Sequence, residues 1–214
     1  MQGGRLGKDG GEIVARKGRE VLARARIVDT SQIVVHGNAS VSTALLGVLA
    51  EADVPVALHS WGGWFRGLFV PASGVGALLR IAQHRVADDP VAALDRARAI
   101  VTSKIRNQRV LLRRNGRPAP RGALEQMAAL AAQVPEAADL PALMGLEGAA
   151  ARAYFGAFDT AISPELKPAF RMAGRNRRPP RDPVNALLSF AYACLVREWT
   201  QVLHRVGFDP YRGF

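Results

Sequence analysis

The first seventy residues alternate between short apolar runs and turn residues, a pattern that predicts β-strands separated by tight turns. Gly18 and the pair Gly37 and Asn38 mark two of these turns. One segment differs, because three leucines between residues 42 and 51 recur at helical spacing after hydroxyl residues that can cap a helix. The pattern predicts strands over residues 12–16, 20–23, 32–35, 54–58 and 64–70, and one helix over 42–51.

From residue 73 onward the apolar positions follow a helical period. Pro90 suits the first turn of a long helix, and the Gly and Pro residues of 116–120 end it. Further helices are predicted over residues 124–133, 140–158 and 183–206. We therefore expect an α+β fold, with a small β-rich domain over residues 1–72 and a larger all-helical domain over residues 73–214.

The positive charge is concentrated in the helical part. The chain carries a net charge of +11; residues 1–70 hold 8 basic and 6 acidic residues, and residues 71–214 hold 21 and 12. An arginine excess attracts phosphate, so this part is the predicted polyanion-binding surface. The single cysteine, Cys194, excludes an internal disulfide framework. With no secretory leader and no apolar run near the ~18 residues of a membrane span, we expect a cytoplasmic protein without membrane contact.

An arginine cluster precedes the last predicted helix, formed by Arg171, Arg175, Arg177, Arg178 and Arg181. Charge runs are often solvated loops, but this one leads into Asp182 and Pro183, a favourable helix start whose free amides also attract phosphate. A polar strip of Asn185, Ser189 and Tyr192 follows on one face of that helix. The strip is either an internal hydrogen-bond network or the lining of a site.

A single carboxylate, Glu147, lies near the predicted start of a helix that is otherwise small and apolar. A glutamate in such a position is usually solvated or complements the helix dipole. The other interpretation is that it binds a metal or a cation. Tyr154 follows seven residues later on the same face, where it either lines the same groove or packs in the interior.

The order of these motifs resembles the CRISPR adaptation integrases, a family of metal-dependent DNA endonucleases that insert captured foreign DNA into a CRISPR array. The resemblance covers roughly residues 5–214. It rests on the segment around Glu147, on the arginine cluster with the helix after it, and on three shorter stretches, namely residues 34–38, 60–67 and 104–114.

The resemblance implies that Glu147 ligates Mg²⁺ or Mn²⁺, which polarises the target phosphate and activates the attacking hydroxyl. It also implies that the arginine cluster and Asn185 bind double-stranded or branched DNA, with Tyr154, Ser189 and Tyr192 as candidate groove-lining residues. The implied partners are a second copy, through the β-rich domain, and the small partner protein of the CRISPR adaptation complex. Lys104, Asn107 and Gln108 are given only a structural or groove-lining role.

The sequence departs from the family at its end. In the family, the loop matching residues 209–214 leads into a histidine and then an aspartate, which complete the metal site with the glutamate. The chain stops at Phe214, and it also lacks the short strand with which the family opens. His204 does not replace the missing ligand, because it lies in the helix before that loop. The resemblance thus predicts a nuclease family but a chain that does not cut DNA as it stands.

Three functions remain in competition. The first is a metal-dependent DNA endonuclease and strand-transfer enzyme of CRISPR adaptation. The second is a catalytically silent DNA-binding or scaffolding subunit, or a fragment, of that family. The third is a helical RNA-binding module, which rests on charge alone because the sequence offers no evident aromatic platform for stacking bases.

Overall fold

The computed structural model describes residues 3–72, 76–172, 174–176 and 179–213. Its strands all lie between Arg5 and Phe69, and its longer helices follow them, which confirms the predicted α+β class. The strands are β1 (Arg5–Asp9), β2 (Glu12–Lys17), β3 (Glu20–Arg26), β4 (Ile33–His36), β5 (Ser40–Val41), β6 (Val56–His59) and β7 (Phe65–Phe69). The helices are α1 (Thr43–Glu51), α2 (Ala77–Asp88), α3 (Pro90–Asn115), α4 (Arg121–Gln133), α5 (Leu140–Ala157) and α6 (Pro183–Val206).

The strands form two sheets. One has the order β3-β2-β1-β5, in which the first three strands are antiparallel and β5 pairs with β1 in parallel. The other has the order β4-β6-β7, in which β4 and β6 are parallel and β6 and β7 form an antiparallel hairpin. Helix α1 is the connection that lets β4 and β6 run in the same direction.

The β-rich unit closes around α1. Ser42 caps this helix by accepting a hydrogen bond from the backbone amide of Leu45 at 3.3 Å. Leu45 and Leu49 are fully buried, and Ile13 and Val56 from the two sheets belong to the same hydrophobic cluster. The apolar residues that recur at helical spacing in the sequence therefore form the buried face of α1.

Three helices form the core of the helical unit. Asp89 caps α3 and Asp139 caps α5, each accepting hydrogen bonds from amides of the first turn, and a proline follows in each case. Their buried face is continuous, with the largest buried side chains being Ile105, Leu112, Met127 and Val134. The core residues on α3 recur at Leu94, Val101, Ile105 and Leu112, as the period predicts.

The structure divides differently from the predicted boundary at residues 72 and 73. One compact unit contains Met1–Arg80 together with Ala193–Tyr211, and the other contains Ile81–Tyr192 with Arg212–Phe214. The second half of α6 belongs to the β-rich unit, where Gln32 donates to Glu198 at 3.1 Å and Arg205 pairs with Asp53 at 2.9 Å. Periodicity predicts a helix but not the elements it packs against, so this long-range grouping was missed.

Two further differences concern local structure. β1 was not predicted as a strand, because its sequence contains glycine and three charged residues; its ladder with β2 holds it instead. Glu147 does not lie near a helix start, because α5 begins at Leu140 and places it in the helix interior. Glu147 therefore does not complement the helix dipole at the start of α5. No helix among the described residues is long and apolar enough to cross a membrane.

Candidate DNA-binding loop and catalytic carboxylate

The arginine-rich loop is organised by one buried side chain, Asn185. It is 0% exposed, and all four hydrogen-bonding positions of its amide are used. Its Oδ1 accepts from Arg175 Nη1 at 2.8 Å and from the Asn176 amide at 3.0 Å. Its Nδ2 donates to the Gly174 carbonyl at 2.8 Å and to Asp182 Oδ2 at 2.7 Å. Asn185 thus belongs to the internal network that the sequence left open, and in this structure it does not line a surface.

Arg175 is also turned inward. Its Nη1 donates to the Asn176 carbonyl at 2.7 Å and its Nη2 to Ser189 Oγ at 3.3 Å. The guanidinium stands 6.0 Å from the ring centroid of Phe155 and 5.7 Å from that of Tyr192. These contacts connect the loop to α5 and to α6. Ser189 and Tyr192 therefore interact with Arg175, a contact that the sequence did not predict.

Arg171 and Arg181 are the described arginines of the cluster that remain exposed. They line an open cleft of about 550 Å³ together with Gly174, Arg175, Asn176 and Asp182. The backbone of the loop is fixed at this point, because the Arg181 amide donates to Asn176 Oδ1 at 2.7 Å. Arg177 and Arg178 lie outside the described residues. Two exposed cations at the mouth of a hydrogen-bonded cleft form an arrangement suited to phosphate.

Asp182 joins this network to the start of α6. Its Oδ1 accepts from the Asn185 amide at 2.8 Å, and its Oδ2 accepts from the side chains of Asn185 and Asn176. Burial acts to raise the pKa of Asp182, but the hydrogen bonds from Asn185, Asn176 and the Val184 amide outweigh it and lower the pKa below its usual value. The carboxylate is therefore held ionised as the helix cap.

Glu147 faces a lysine from the neighbouring helix. Lys104 Nζ on α3 donates to Glu147 Oε1 in a short ion pair, and the two side chains are 44% and 34% exposed. The carboxylate is thus reachable from solvent while its charge is balanced. Lys104, for which a structural or groove-lining role was predicted, is the direct partner of the candidate catalytic carboxylate.

Tyr154 lies in the interior, although it was a candidate groove-lining residue. It is 7% exposed and its ring meets the edges of Phe155 and Phe158, with centroids 5.0 Å and 5.5 Å away. Burial, followed by the nearby Tyr192, raises the pKa of Tyr154 to about 12. A phenol of this kind is not a base at neutral pH, and its contribution is to the packing of α5.

The residues present meet the needs of a divalent metal only in part. Mg²⁺ and Mn²⁺ prefer oxygen ligands, and the accessible carboxylate of Glu147 fits one position of such a shell. Within the described ranges, however, no group of three or more His, Cys, Asp or Glu residues comes together. A complete metal site is therefore not formed by these residues alone.

The loop contacts the helix that carries the carboxylate. Phe155, against which Arg175 stacks, follows Glu147 by eight residues on α5, about 12 Å along the helix axis. Because Glu147 and Phe155 both lie on α5, helix geometry sets the spacing between the candidate carboxylate and the ring that Arg175 contacts.

Comparison with known proteins decides the family. The model of the family described as CRISPR associated protein Cas1 matches residues 1–214. The chain belongs to the Cas1 family. It is 42% identical over 215 residues to a CRISPR-associated exonuclease Cas4/endonuclease Cas1 fusion of Geobacter sulfurreducens, covering 97% of this chain and 38% of that protein. The chain spans less than two thirds of the length of the curated Cas1 relatives it matches.

Solved Cas1 structures share the fold. A CAS1 protein from Thermotoga maritima matches with a TM-score of 0.80 and 23% identity, over 99% of this chain and 66% of that one. A Cas6-RT-Cas1–Cas2 complex matches with a TM-score of 0.73 and 25% identity, over 99% of this chain and 23% of that one. The arrangement of β-strands followed by helices is thus that of Cas1.

Two features of this Cas1-family chain escaped the sequence analysis. Lys104 and Glu147 are 43 residues apart, and only the packing of α3 against α5 brings them together. Phe155 was not singled out, because an aromatic beside a buried tyrosine is indistinguishable from ordinary core in the sequence. No local signal identifies the pair, because α3 carries several cations and only its packing against α5 selects Lys104.

Proposed function

We propose that this chain provides the DNA-binding surface and one catalytic ligand of a Cas1 endonuclease and integrase, which inserts captured foreign DNA as spacers into a CRISPR array. One observation carries the proposal: Arg175 of the basic loop contacts Phe155 on the same helix that bears the accessible carboxylate of Glu147. The names of the relatives support it, because they are endonucleases of CRISPR systems.

The chain's own residues have distinct parts in this mechanism. Arg171 and Arg181 bind phosphates of double-stranded or branched DNA at the cleft, and Asn185 keeps the loop in position for them. Glu147 contributes one oxygen ligand to Mg²⁺ or Mn²⁺, which supplies Lewis-acid activation when bound. Lys104 balances the carboxylate in the free protein. The remaining ligands come from residues other than those described.

The DNA-binding part is tested by the dependence of duplex affinity on salt concentration. Reversing the charge of Arg171 and Arg181 to glutamate should flatten the slope of log affinity against log salt by roughly 2 or more, since each lost phosphate contact removes about one counterion. Lys17→Glu with Arg19→Glu, at the end of β2 and in the turn that follows it, makes the same change in net charge. Equal flattening by both pairs would show that the general field, and not the loop, attracts DNA.

The catalytic part is tested by cleavage of branched DNA with Mn²⁺ or Mg²⁺. A protein extended to the length of the Cas1 relatives should cut, and Glu147→Gln should abolish cutting while duplex binding persists. Cutting that persists in Glu147→Gln would remove this residue from the metal site. The 214-residue chain by itself should bind without cutting.

A second candidate is a catalytically silent DNA-binding or scaffolding subunit of the same family. It is favoured by the finding that the described residues bring together no set of three metal-ligand side chains. Absence of cutting in the extended protein, with duplex binding retained, would establish this alternative. The bound Mg²⁺ or Mn²⁺ and the cytoplasmic location are proposed together with the reaction.

We also propose two protein partners. A Cas6-RT-Cas1–Cas2 complex is among the solved structures that share the fold, and it supports Cas2 as the small partner protein of this chain. For the homodimer we propose the edge of the first sheet, because every residue of β3 is exposed and Val21 and Leu22 are 41% and 39% exposed. Val21→Lys should convert a dimer to a monomer in light scattering if β3 is the contact. An unchanged dimer would place the contact elsewhere.

A further inference from the structure

One buried side-chain amide of the β-rich unit is left without hydrogen bonds. Gln201 on α6 is 5% exposed, and neither its Oε1 nor its Nε2 has a hydrogen-bond partner in the part of the chain that the structure describes. A buried amide without hydrogen bonds raises the free energy of the folded chain. Native proteins contain few such groups, so a side chain with both polar atoms unpaired indicates a ligand that pairs with them.

Gln201 lines a small cavity that opens to solvent. The cavity has a volume of about 170 Å³, and its lining residues belong to the compact unit of Met1–Arg80 with Ala193–Tyr211. Small-molecule sites usually measure roughly 300–1,000 Å³, so this cavity has room for one side chain and not for a whole cofactor. Gln32 and Pro55 come from the segments just before β4 and β6, and Glu198, Val202 and Arg205 come from α6.

Gln32 shows the usual arrangement of an amide in the same cavity. Its Nε2 donates to Glu198 Oε2 at 3.1 Å. The backbone beside it is also held, because the Ile33 amide donates to the Pro55 carbonyl at 3.0 Å. One glutamine of the cavity is therefore paired with its own chain, whereas the amide of Gln201 is available to a ligand.

The charged residues at the cavity already have partners. Arg205 pairs with Asp53 at 2.9 Å, and Glu198 pairs with Arg197 at 2.6 Å. A nucleotide needs a free cation for its phosphate, and a charged side chain would have to displace one of these ion pairs. The charges therefore favour an uncharged polar group as the ligand.

The geometry of the amide favours a primary carboxamide. Gln201 offers an acceptor and a donor side by side. A trans peptide unit carries its N–H and C=O on opposite sides, so it satisfies only one of the two. The side chain of asparagine or glutamine carries both on the same side and forms two hydrogen bonds with another carboxamide at once. Its methylene groups suit Pro55 and Val202, the apolar part of the lining.

We propose that this cavity binds an asparagine or glutamine side chain of a partner protein. The site goes beyond the proposed function, because none of its residues lines the arginine-rich cleft or pairs with Glu147. Binding supplies the two hydrogen bonds that Gln201 lacks in the free chain. It adds a neutral contact point for a protein to a chain that attracts polyanions by its charge.

The first test compares the two glutamines of the cavity by unfolding in urea. Gln201→Met keeps the length of the side chain and removes both unpaired polar atoms, so the unfolding midpoint should rise. Gln32→Met is the matched control and should lower the midpoint, because it removes the hydrogen bond to Glu198. A lowered midpoint in both variants would show that the fold itself uses the amide of Gln201, and the proposal would be wrong.

The second test follows the side-chain amide of Gln201 by ¹H–¹⁵N NMR, with its cross peaks identified by their absence in Gln201→Met. The probe is the tripeptide Gly-Gln-Gly with acetyl and N-methylamide blocks, which should shift these cross peaks with a dissociation constant on the order of 1 mM. Gly-Glu-Gly with the same blocks lacks the donor and should bind about fivefold more weakly or worse. Acetamide lacks the methylene groups and should also bind about fivefold more weakly.

The outcomes at this cavity are independent of DNA binding. Equal affinity of the glutamine and glutamate peptides, or no shift at Gln201, would overturn the proposal. If acetamide binds as tightly as the glutamine peptide, the cavity takes a free small carboxamide, and the partner protein is wrong. Duplex DNA affinity should be the same in Gln201→Met and in the parent, so failure here would leave the proposed function in place.

Discussion

Asn185 and Glu147 both carry polar side chains and lie in the same compact unit, but their surroundings are opposite. Asn185 is sealed from solvent and all four positions of its amide are hydrogen-bonded. Glu147 is partly open and has one ion-pair partner, Lys104. Asn185 binds only groups of its own chain, whereas Glu147 can be reached by a ligand. Both side chains are polar, so it is the burial of each side chain that distinguishes the two roles.

The difference has an energetic consequence. A buried amide that loses its partners leaves unpaired polar groups in a medium that cannot solvate them. A solvated ion pair is replaced by water at little cost. Substitution of buried residues in the arginine loop should therefore lower the free energy of unfolding. Substitution around Glu147 should leave the free energy of unfolding nearly unchanged and alter function instead.

The largest expected effect is that of Asn185→Ala. It leaves the Gly174 carbonyl, the Asn176 amide and part of Arg175 without partners, and we expect a loss of about 3 kcal/mol in the free energy of unfolding in urea. Asn115→Ala, at the exposed end of α3, removes a single hydrogen bond to the Leu111 carbonyl and should cost under about 1 kcal/mol. Equal losses would show that the Asn185 network does not stabilise the fold.

The sequence predicted more of the fold than of this network. Helix periods, caps and prolines predicted α1, α3 and α6 well, because those signals are local. The arginine cluster was recognised, yet the inward turn of Arg175 depends on Phe155, twenty residues away, and on Tyr192. Packing between elements determines which arginine of a cluster turns inward and stabilises the loop. A single sequence contains little information about that packing.

A smaller effect is expected from pH. The pKa of Asp182 is lowered in the folded state, so its contribution to stability is present above the ordinary carboxyl pKa of about 3.9 and is lost as pH falls through the lower folded value. Asp182→Asn should therefore be less stable than the parent at pH 6, and the difference should shrink in acid. Thermal unfolding of both proteins from pH 6 to pH 2.5 measures it. A constant difference across that range would mean that the charge of Asp182 is not what the network recognises.

The smallest structural effect and the most specific functional one are expected at the pair of Lys104 and Glu147. Either Lys104→Met or Glu147→Gln should change the free energy of unfolding by less than about 1 kcal/mol, because both side chains are partly solvated. Their effects on duplex DNA affinity should be opposite in sign. Glu147→Gln removes a negative charge and frees the ammonium of Lys104 for phosphate, so binding should tighten a few-fold at low salt. Lys104→Met leaves the carboxylate unbalanced and should weaken it.

A matched pair in the β-rich unit separates this local effect from a change in net charge. Asp53→Asn frees Arg205 from an ion pair of similar exposure, and Arg205→Met leaves Asp53 unbalanced. Asparagine suits the positive φ of 55° at position 53, so the fold should be kept. If duplex DNA passes over α3 and α5 at Glu147, the changes at Lys104 and Glu147 should exceed those of the control pair by several-fold at low salt and should fade as salt rises. Equal changes in the two pairs would mean that DNA senses only the total charge, and Glu147 would then lie away from the bound phosphates.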